Sequence, residues 1–544
     1  MTRKSGGRAA RLLGQAYQDR ETTGPVRPGL LGGSYKPLLE DQIQLIHKSS
    51  LDVLEHIGMA DATEEWRDVI VANGGWTRHD NRLCFPPRLV EEALTRAARN
   101  FKLFARDPKH DLDISGTRVH FAGCSGTVYV LDIGSRSFRE SQLIDLYDQV
   151  RLEDALENIH YVQRPCIARD MVDPFDLDIN TAYACMAGTT KHIAMSVSAA
   201  AHIDKVVQLL DISLGGSGDG SLFRRRPFVQ ALVSAAVPPL RFPQDSCRII
   251  DAAVRTGMPV LVFSAGQAGA TAPATLLGAL VQANAEVLAS LAYVNLIAPG
   301  YPVLVGHNTL VSDLRTGACA GGCAEASLLA AAGAQLCQFY GLPSNIMAGA
   351  TSSKQPDGQA GWEKGYQTTM AALSGGNMIT QTAGHLADYM MSSFEALTLD
   401  NDMLGAVLRA VRGIDVTEER LSFREIQSVV DGGQGHYLGE SQTLDLMRSE
   451  YYYPAVGNRQ SLKDWHESGA KDMRDRSIER TLTNLRTHFP DHLEPSIDRR
   501  IREEFNIFLS PESMRADTSR WSQHPANCGT GAEETAGISM ASRN

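Results

Sequence analysis

Residues 341–399 read GLPSNIMAGATSSKQPDGQAGWEKGYQTTMAALSGGNMITQTAGHLADYMMSSFEALTL. The run 344–350 is small and apolar and suits a buried strand. Thr351, Ser352, Ser353, Lys354, Gln355, Pro356 and Asp357 then form a loop rich in hydrogen-bonding groups, with one proline to fix its shape. From Gln359 the spacing turns helical, with Trp362, Tyr366, Met370 and Leu373 on one stripe, and Gly375 and Gly376 end it. Residues 377–383 return to strand, and Gly384, His385 and Asp388 open a second polar loop. The unit is strand, polar loop, helix, strand, polar loop.

The same unit repeats on the upstream side. Short apolar runs at 161–168, 192–198, 228–235, 259–264, 302–306, 344–350 and 378–382 alternate with helical patterns at 177–187, 201–214, 245–256, 273–296, 320–340 and 359–373. Short connections between them predict a parallel sheet with helical crossovers, and so many repeats favour closure into an α/β barrel. Seven strands are visible and the eighth is not. In the longest helix Thr271 is expected to cap, Pro273 to sit in the first turn, and Leu277, Leu280, Val281, Val287, Leu288 and Leu291 to face the barrel. Upstream, 38–57, 63–72 and 87–98 read as helices of a cap, and 103–131 alternates like antiparallel strand. The predicted organisation is a disordered basic tail over 1–34, a cap and hairpin over 35–130, the barrel over 131–396, a helical part over 397–510 and a loose tail over 511–544.

Composition excludes several function classes. A formal charge of -11 argues against nucleic acid, which needs a basic face to neutralise phosphates. No run has the length of apolar sequence that spans a bilayer, so no membrane association is expected. Nine cysteines without framework spacing, and no apolar core behind the first basic residues, point to a reducing compartment, by default the cytoplasm.

Barrel enzymes build their sites at the C-terminal ends of the strands. That places Lys354, Asp357 and Gln359, after 344–350, as catalytic candidates. The alternative is a capping loop in which Asp357 caps and Lys354 is solvated. His385 and Asp388, after 378–382, and His307, after 302–306, are substrate-binding candidates by position. Trp362 and Tyr389 join them because aromatic faces hold quaternary ammonium ions. Cys319, Cys323 and Cys337, with His307 as the nearest imidazole, lack a zinc set and read as small buried thiols, so no metal is predicted. Residues 431–439, DGGQGHYLG, read as a tight turn and not as a phosphate cradle.

SSKQPDGQAGWEK (352–364), ALSGGNMI (372–379) and FEALTLDNDMLG (394–405) resemble the signature region of the trimethylamine methyltransferase family, or MttB family. GATAPATLLGALVQANAEVL (269–288), DLRTGACAGGCAE (313–325) and EYYYPAVGNRQSLKDW (450–465) extend the likeness to about 38–505. The resemblance implies a (β/α)8 TIM barrel. It also implies methyl transfer from a methylated amine to cob(I)alamin, the cobalamin being held by a separate small corrinoid protein and not by this chain. Family members that use trimethylamine carry pyrrolysine, and this sequence has none. A tertiary amine would leave as an amide anion and needs activation, whereas a quaternary ammonium leaves as a neutral amine. The expected substrate is therefore glycine betaine or a related betaine. A methylamine methyltransferase and a non-catalytic betaine-binding barrel stay open as alternatives, as does self-association.

Overall fold

The computed structural model describes residues 24–522, and in it the expected barrel is complete. Its parallel strands are β1 Arg118–Phe121, β2 Tyr161–Gln163, β3 His192–Met195, β4 Val229–Ser234, β5 Val260–Ser264, β6 Val303–His307, β7 Ser344–Met347 and β8 Met378–Thr380. Helices follow them in turn as α1 Leu143–Ala155, α2 Pro174–Gly188, α3 Ala200–Ser213, α4 Gln244–Thr256, α5 Leu276–Ile297, α6 Ala324–Tyr340, α7 Gly358–Leu373 and α8 Phe394–Arg412. The sheet runs from β2 to β8 and on to β1, with Met378 opposite His120. The Phe121 carbonyl accepts from the His160 N–H at 2.7 Å, and Ala122 bridges Tyr161, which closes the ring.

The eighth strand is thus Arg118–Phe121, inside the stretch that reads as antiparallel hairpin and upstream of the expected boundary at 131. It escaped notice because its inward residue is His120, which breaks the apolar run that marks the other strands. A real hairpin lies just before it, Lys102–Leu103 against Leu112–Asp113. Its Leu103, Leu112 and Ile114 pack with Tyr161, Leu261, Leu304 and Met378 and plug the barrel's N-terminal end.

Other expectations shift at element ends. The cap of α5 is Thr275, whose hydroxyl accepts from the Gly278 N–H at 3.2 Å; Thr271 instead accepts from the Gln267 N–H. Leu277 is half exposed, while Leu280, Val287, Leu288 and Leu291 are buried. Among the described residues α5 is the one helix long and apolar enough to cross a membrane, but 83% of that window is buried within the fold. Leu30–Leu31, placed in the tail, pairs antiparallel with β1. Trp521, also placed in a tail, is buried against Phe394 and donates to Asp148 at 2.7 Å. Residues 1–23 and 523–544 of the two tails lie outside the described residues.

Above the mouth, the loops after β1 and β8 join in a small sheet. Tyr129–Leu131 pairs with Phe138–Glu140 and with Met391–Ser393, which pairs with His385–Leu386. That sheet roofs one side of the mouth.

Candidate active site

Strand register decides which side chains reach the lumen. From β1 to β8 the inward positions are His120; Tyr161 and Gln163; His192 and Ala194; Gln230, Leu232 and Ser234; Leu261 and Phe263; Leu304 and Gly306; Asn345 and Met347; Met378 and Thr380. None of these is Asp, Glu, Lys or Arg. The two histidines are held neutral, since burial lowers each to about 4. The lumen wall therefore carries no formal charge near neutral pH.

It is also open from above. Leu232, Ser234, Phe263 and Met347 are half-buried, while their outward neighbours Ala231, Val233, Val262 and Ile346 are buried. On interior strands such exposure can come only from the lumen side. Amide and hydroxyl groups frame this apolar wall. Thr380 Oγ1 donates to Gln163 Oε1 at 2.6 Å, Gln163 Nε2 donates to Ser125 Oγ at 3.0 Å, and Asn308 Nδ2 donates to Asn345 Oδ1 at 3.0 Å. Asn308 Oδ1 is buried without a protein partner, and the buried Gln230 amide, which lies against the His192 ring, keeps further capacity for water or a ligand.

His385 lies inside the roof. Its Nε2 accepts from the Ser125 N–H at 2.8 Å, so the proton sits on Nδ1, which is buried and unpartnered. Burial, and secondarily Lys364, lowers the ring to about 3. Tyr389 meets it edge-on with ring centroids 5.4 Å apart. Gly384, just before, takes φ +80°, where a Cβ would lie 2.7 Å from Leu397.

Beyond His385 the chain is strained. Ala387, Asp388 and Tyr389 take φ of 52°, 53° and 72° in succession, a left-handed run that disfavours L-residues. Asp388 holds it in place. Its Oδ1 accepts from the Gly321 N–H at 2.9 Å and from Ser352 Oγ at 2.6 Å, which ties the loop after β8 to those after β6 and β7. Backbone bonds from Ala387 N–H to Ser353 O and from Asp388 N–H to Thr351 O complete the clamp. Asp388 thus fastens three mouth loops to one another.

The polar loop after β7 satisfies itself. Asp357 Oδ1 caps α7 by accepting from the Ala360 N–H at 3.1 Å, Lys354 is exposed and its Nζ donates to Ser352 O, and Gln359 donates to Glu363. Asp357 and Lys354 take the capping and solvated places of the alternative reading. Glu363 accepts from Thr351 and Ser352 and so fastens the loop to α7. The apolar stripe of α7 is not its buried face, and Tyr366, Met370 and Leu373 are only half-buried. Trp362 is 59% exposed, stacked on Tyr366, and the buried face carries Glu363, Lys364, Gln367 and Thr368. Within that face Lys364 Nζ meets Asp400 at 2.6 Å, with both groups buried.

His307 faces away from the lumen, because its register partner is Ser264 and not an inward residue. Its Nε2 lies 3.1 Å from Asn284 Oδ1 and its Nδ1 3.6 Å from Cys337 Sγ, between β6 and the helix layer. Cys319 and Cys323 are half-buried in the loop after β6, their thiols pushed up to about 11 by burial. The structure thus brings His385, Tyr389 and Asp388 together, and separates them from His307 and Trp362. Gln163, Ser125, Thr380, Asn345, Asn308 and Gln230 were missed. Alternation counted from Leu304 reaches Asn308, and from Met378 it reaches Thr380.

The fold and site define a (β/α)8 enzyme with an uncharged lumen, entered at the C-terminal ends of the strands. The chain belongs to the trimethylamine methyltransferase (MTTB) family, whose model matches residues 4–508, and it is a methyltransferase. It is similar to trimethylamine methyltransferase MttB of Desulfitobacterium hafniense, 30% identical over 464 residues, covering 85% of this chain and 92% of the relative. The corresponding protein of Methanosarcina thermophila is 33% identical over 459 residues, covering 82% and 92%. Glycine betaine methyltransferase of D. hafniense strain Y51 is 29% identical over 480 residues, covering 87% and 97%. Among solved structures, monomethylamine methyltransferase MtmB of Methanosarcina barkeri is 13% identical with a TM-score of 0.47, covering 88% of this chain and 91% of its own.

Proposed function

We propose that this enzyme takes a methyl group from a quaternary amine, glycine betaine or a related betaine, and passes it to cob(I)alamin carried by a separate corrinoid protein. The N–CH3 bond breaks with its electron pair staying on nitrogen, so the donor leaves as a neutral tertiary amine. The cobalt(I) lone pair forms the new Co–CH3 bond. No proton moves, and no acid or base is required.

The uncharged lumen carries this reading. A cationic donor loses charge as its methyl departs, so a wall without carboxylates does not hold the ground state more tightly than the transition state. Leu232, Phe263 and Met347 supply an apolar surround, and the amides of Gln163, Asn345 and Gln230 supply donors that suit a carboxylate at the far end of a betaine. Positioning supplies most of the remaining acceleration. The absence of pyrrolysine and the relative named for glycine betaine support the same choice.

Anaerobic incubation with cob(I)alamin and a panel of betaines tests it, read by the methylcobalamin spectrum. At least one betaine should give it and trimethylamine should not. Turnover of trimethylamine by this chain alone returns the substrate to the tertiary amines. Calorimetric binding of a betaine without any spectral change favours a binding protein.

A further inference from the structure

One polar group on the open side of the lumen is built without a partner. Asn308 stands one residue past β6, and its N–H donates to the Ser264 carbonyl at 2.9 Å. The ladder and its alternation therefore run on and carry the side chain inward above Gly306. The residue is 6% exposed. Its amide is oriented by its neighbour. Asn345 Nδ2 donates to the Met378 carbonyl at 3.2 Å, which leaves Asn345 Oδ1 as an acceptor, and Asn308 Nδ2 fills it at 3.0 Å. Asn308 Oδ1 is then the free end, an acceptor with no protein donor. The Gln163 amide, by contrast, is used at both ends. A buried acceptor left unmade is costly, so this side of the lumen is complete only with a donor from outside the chain.

The surroundings select that donor. A Cβ on Gly306 would lie 2.7 Å from Phe263 Cβ, 3.3 Å from Asn345 Oδ1 and 3.4 Å from Asn308 Nδ2. The amide pair thus borders the apolar wall that suits the methylated nitrogen. A quaternary ammonium has no N–H, and a carboxylate brings only acceptors, so glycine betaine has nothing to offer Asn308. A hydroxyl close to the nitrogen does, because it is neutral and donates one hydrogen. Resting on the quaternary-amine reading above, we propose that the methyl donor carries a hydroxyl on the second carbon from its nitrogen and that Asn308 Oδ1 accepts from it. Asn308 is then a specificity residue. A buried group built to bond a substrate hydroxyl rejects the analogue that lacks it far more strongly than an apolar pocket rejects a missing methylene.

Four quaternary amines test this, with and without each group. 3-Hydroxy-4-(trimethylammonio)butyrate and 4-(trimethylammonio)butyrate carry the carboxylate, and (2-hydroxyethyl)trimethylammonium and ethyltrimethylammonium do not. Calorimetry on the full chain reads Kd, and methylcobalamin formation from cob(I)alamin reads kcat and KM. The hydroxylated member of each pair should bind at least about tenfold more tightly. Asn308→Leu should bring that ratio to about one, mainly through KM. Should the leucine variant fail to fold, Asn308→Ser, too short to reach the hydroxyl, should lower the ratio by a smaller factor. Binding of neither hydroxylated compound, a wild-type ratio near one with water as the acceptor's only occupant, or a ratio that folded variants leave intact overturns the proposal. A hydroxyl preference in calorimetry without methylcobalamin supports the Asn308 contact and overturns the methyl-transfer reading. Equal methyl transfer from the two carboxylates does the reverse.

Discussion

Asp388 separates two roles that one carboxylate at a barrel mouth can have, and three substitutions distinguish them. Both of its side-chain bonds, from the Gly321 N–H and from Ser352 Oγ, end on the same oxygen, Oδ1. Asp388→Asn keeps that oxygen and, like Asp, tolerates the left-handed conformation, so it should lose only charge assistance, roughly 1–2 kcal/mol over two bonds. Asp388→Ala removes both bonds, roughly 3–6 kcal/mol. Strain in Ala387, Asp388 and Tyr389 is roughly 1–3 kcal/mol each and of the same order as the clamp, so the alanine variant should release the loop. Asp388→Gly loses the bonds but relieves one strained position, and should fall between the two. Hydrogen exchange of segments 351–355 and 385–391 reads the loop directly, and methyl-transfer kinetics read its consequence. The expected order of protection and of kcat/KM is wild type, then Asn close behind, then Gly, then Ala. A carboxylate that instead touches a cationic donor would make Asn as damaging as Ala in KM while the loop stays protected, and that pattern would refute the clamp.

Asp357→Ala should cost about 1 kcal/mol in urea unfolding through loss of the α7 cap, with methyl transfer unchanged; a large loss of turnover at full stability would restore Asp357 to catalysis. Acid should destabilise the fold early. Burial lowers His385 to about 3 and His120, His192 and His307 to about 4, so the unfolded chain takes up protons below pH ~6.5 that the folded chain refuses. Stability is then present above that pH and lost as pH falls towards 4, by roughly 1.4 kcal/mol per pH unit for each ring, and a stability profile flat from pH 7 to 4.5 would contradict it. Leu232→Glu, compared with Leu232→Gln at pH 8, places a charge in the lumen worth about 3 kcal/mol at ~6 Å with an effective dielectric of ~20. For a cationic donor KM and kcat should both fall, kcat by about tenfold if half the charge is gone in the transition state. An unchanged or higher kcat would count against charge loss.

The barrel was legible because its strands are short apolar runs between strong helical patterns, and a parallel sheet buried on both faces produces such runs. The same burial hides which way each residue points. Val303 to His307 reads the same whether His307 ends up in the lumen or among the helices, and only register with Ser264 settles it. On α7 the apolar stripe of Trp362 and Tyr366 is not the buried face, which carries Glu363, Lys364, Gln367 and Thr368. Its Glu363 and Gln367 are drawn in because the mouth loops above them offer hydroxyl, amide and backbone groups that need partners.

The site itself was hidden by its chemistry. Lys354, Asp357, His307 and Asp388 are candidates by their position after barrel strands, and position alone does not say which side chains face the lumen. In the structure these four cap a helix, lie solvated, pack between layers or fasten loops. The residues that face the lumen are amides, hydroxyls, a thioether and aromatic and aliphatic side chains, types too common in any sequence to stand out. The proposed transfer of a methyl from a cation to cobalt(I) would need neither a base nor a counterion, and a wall without ionised groups suits it. The informative feature is the run of inward positions from His120 to Thr380 without a formal charge, and it becomes visible only after the eight strands are in register.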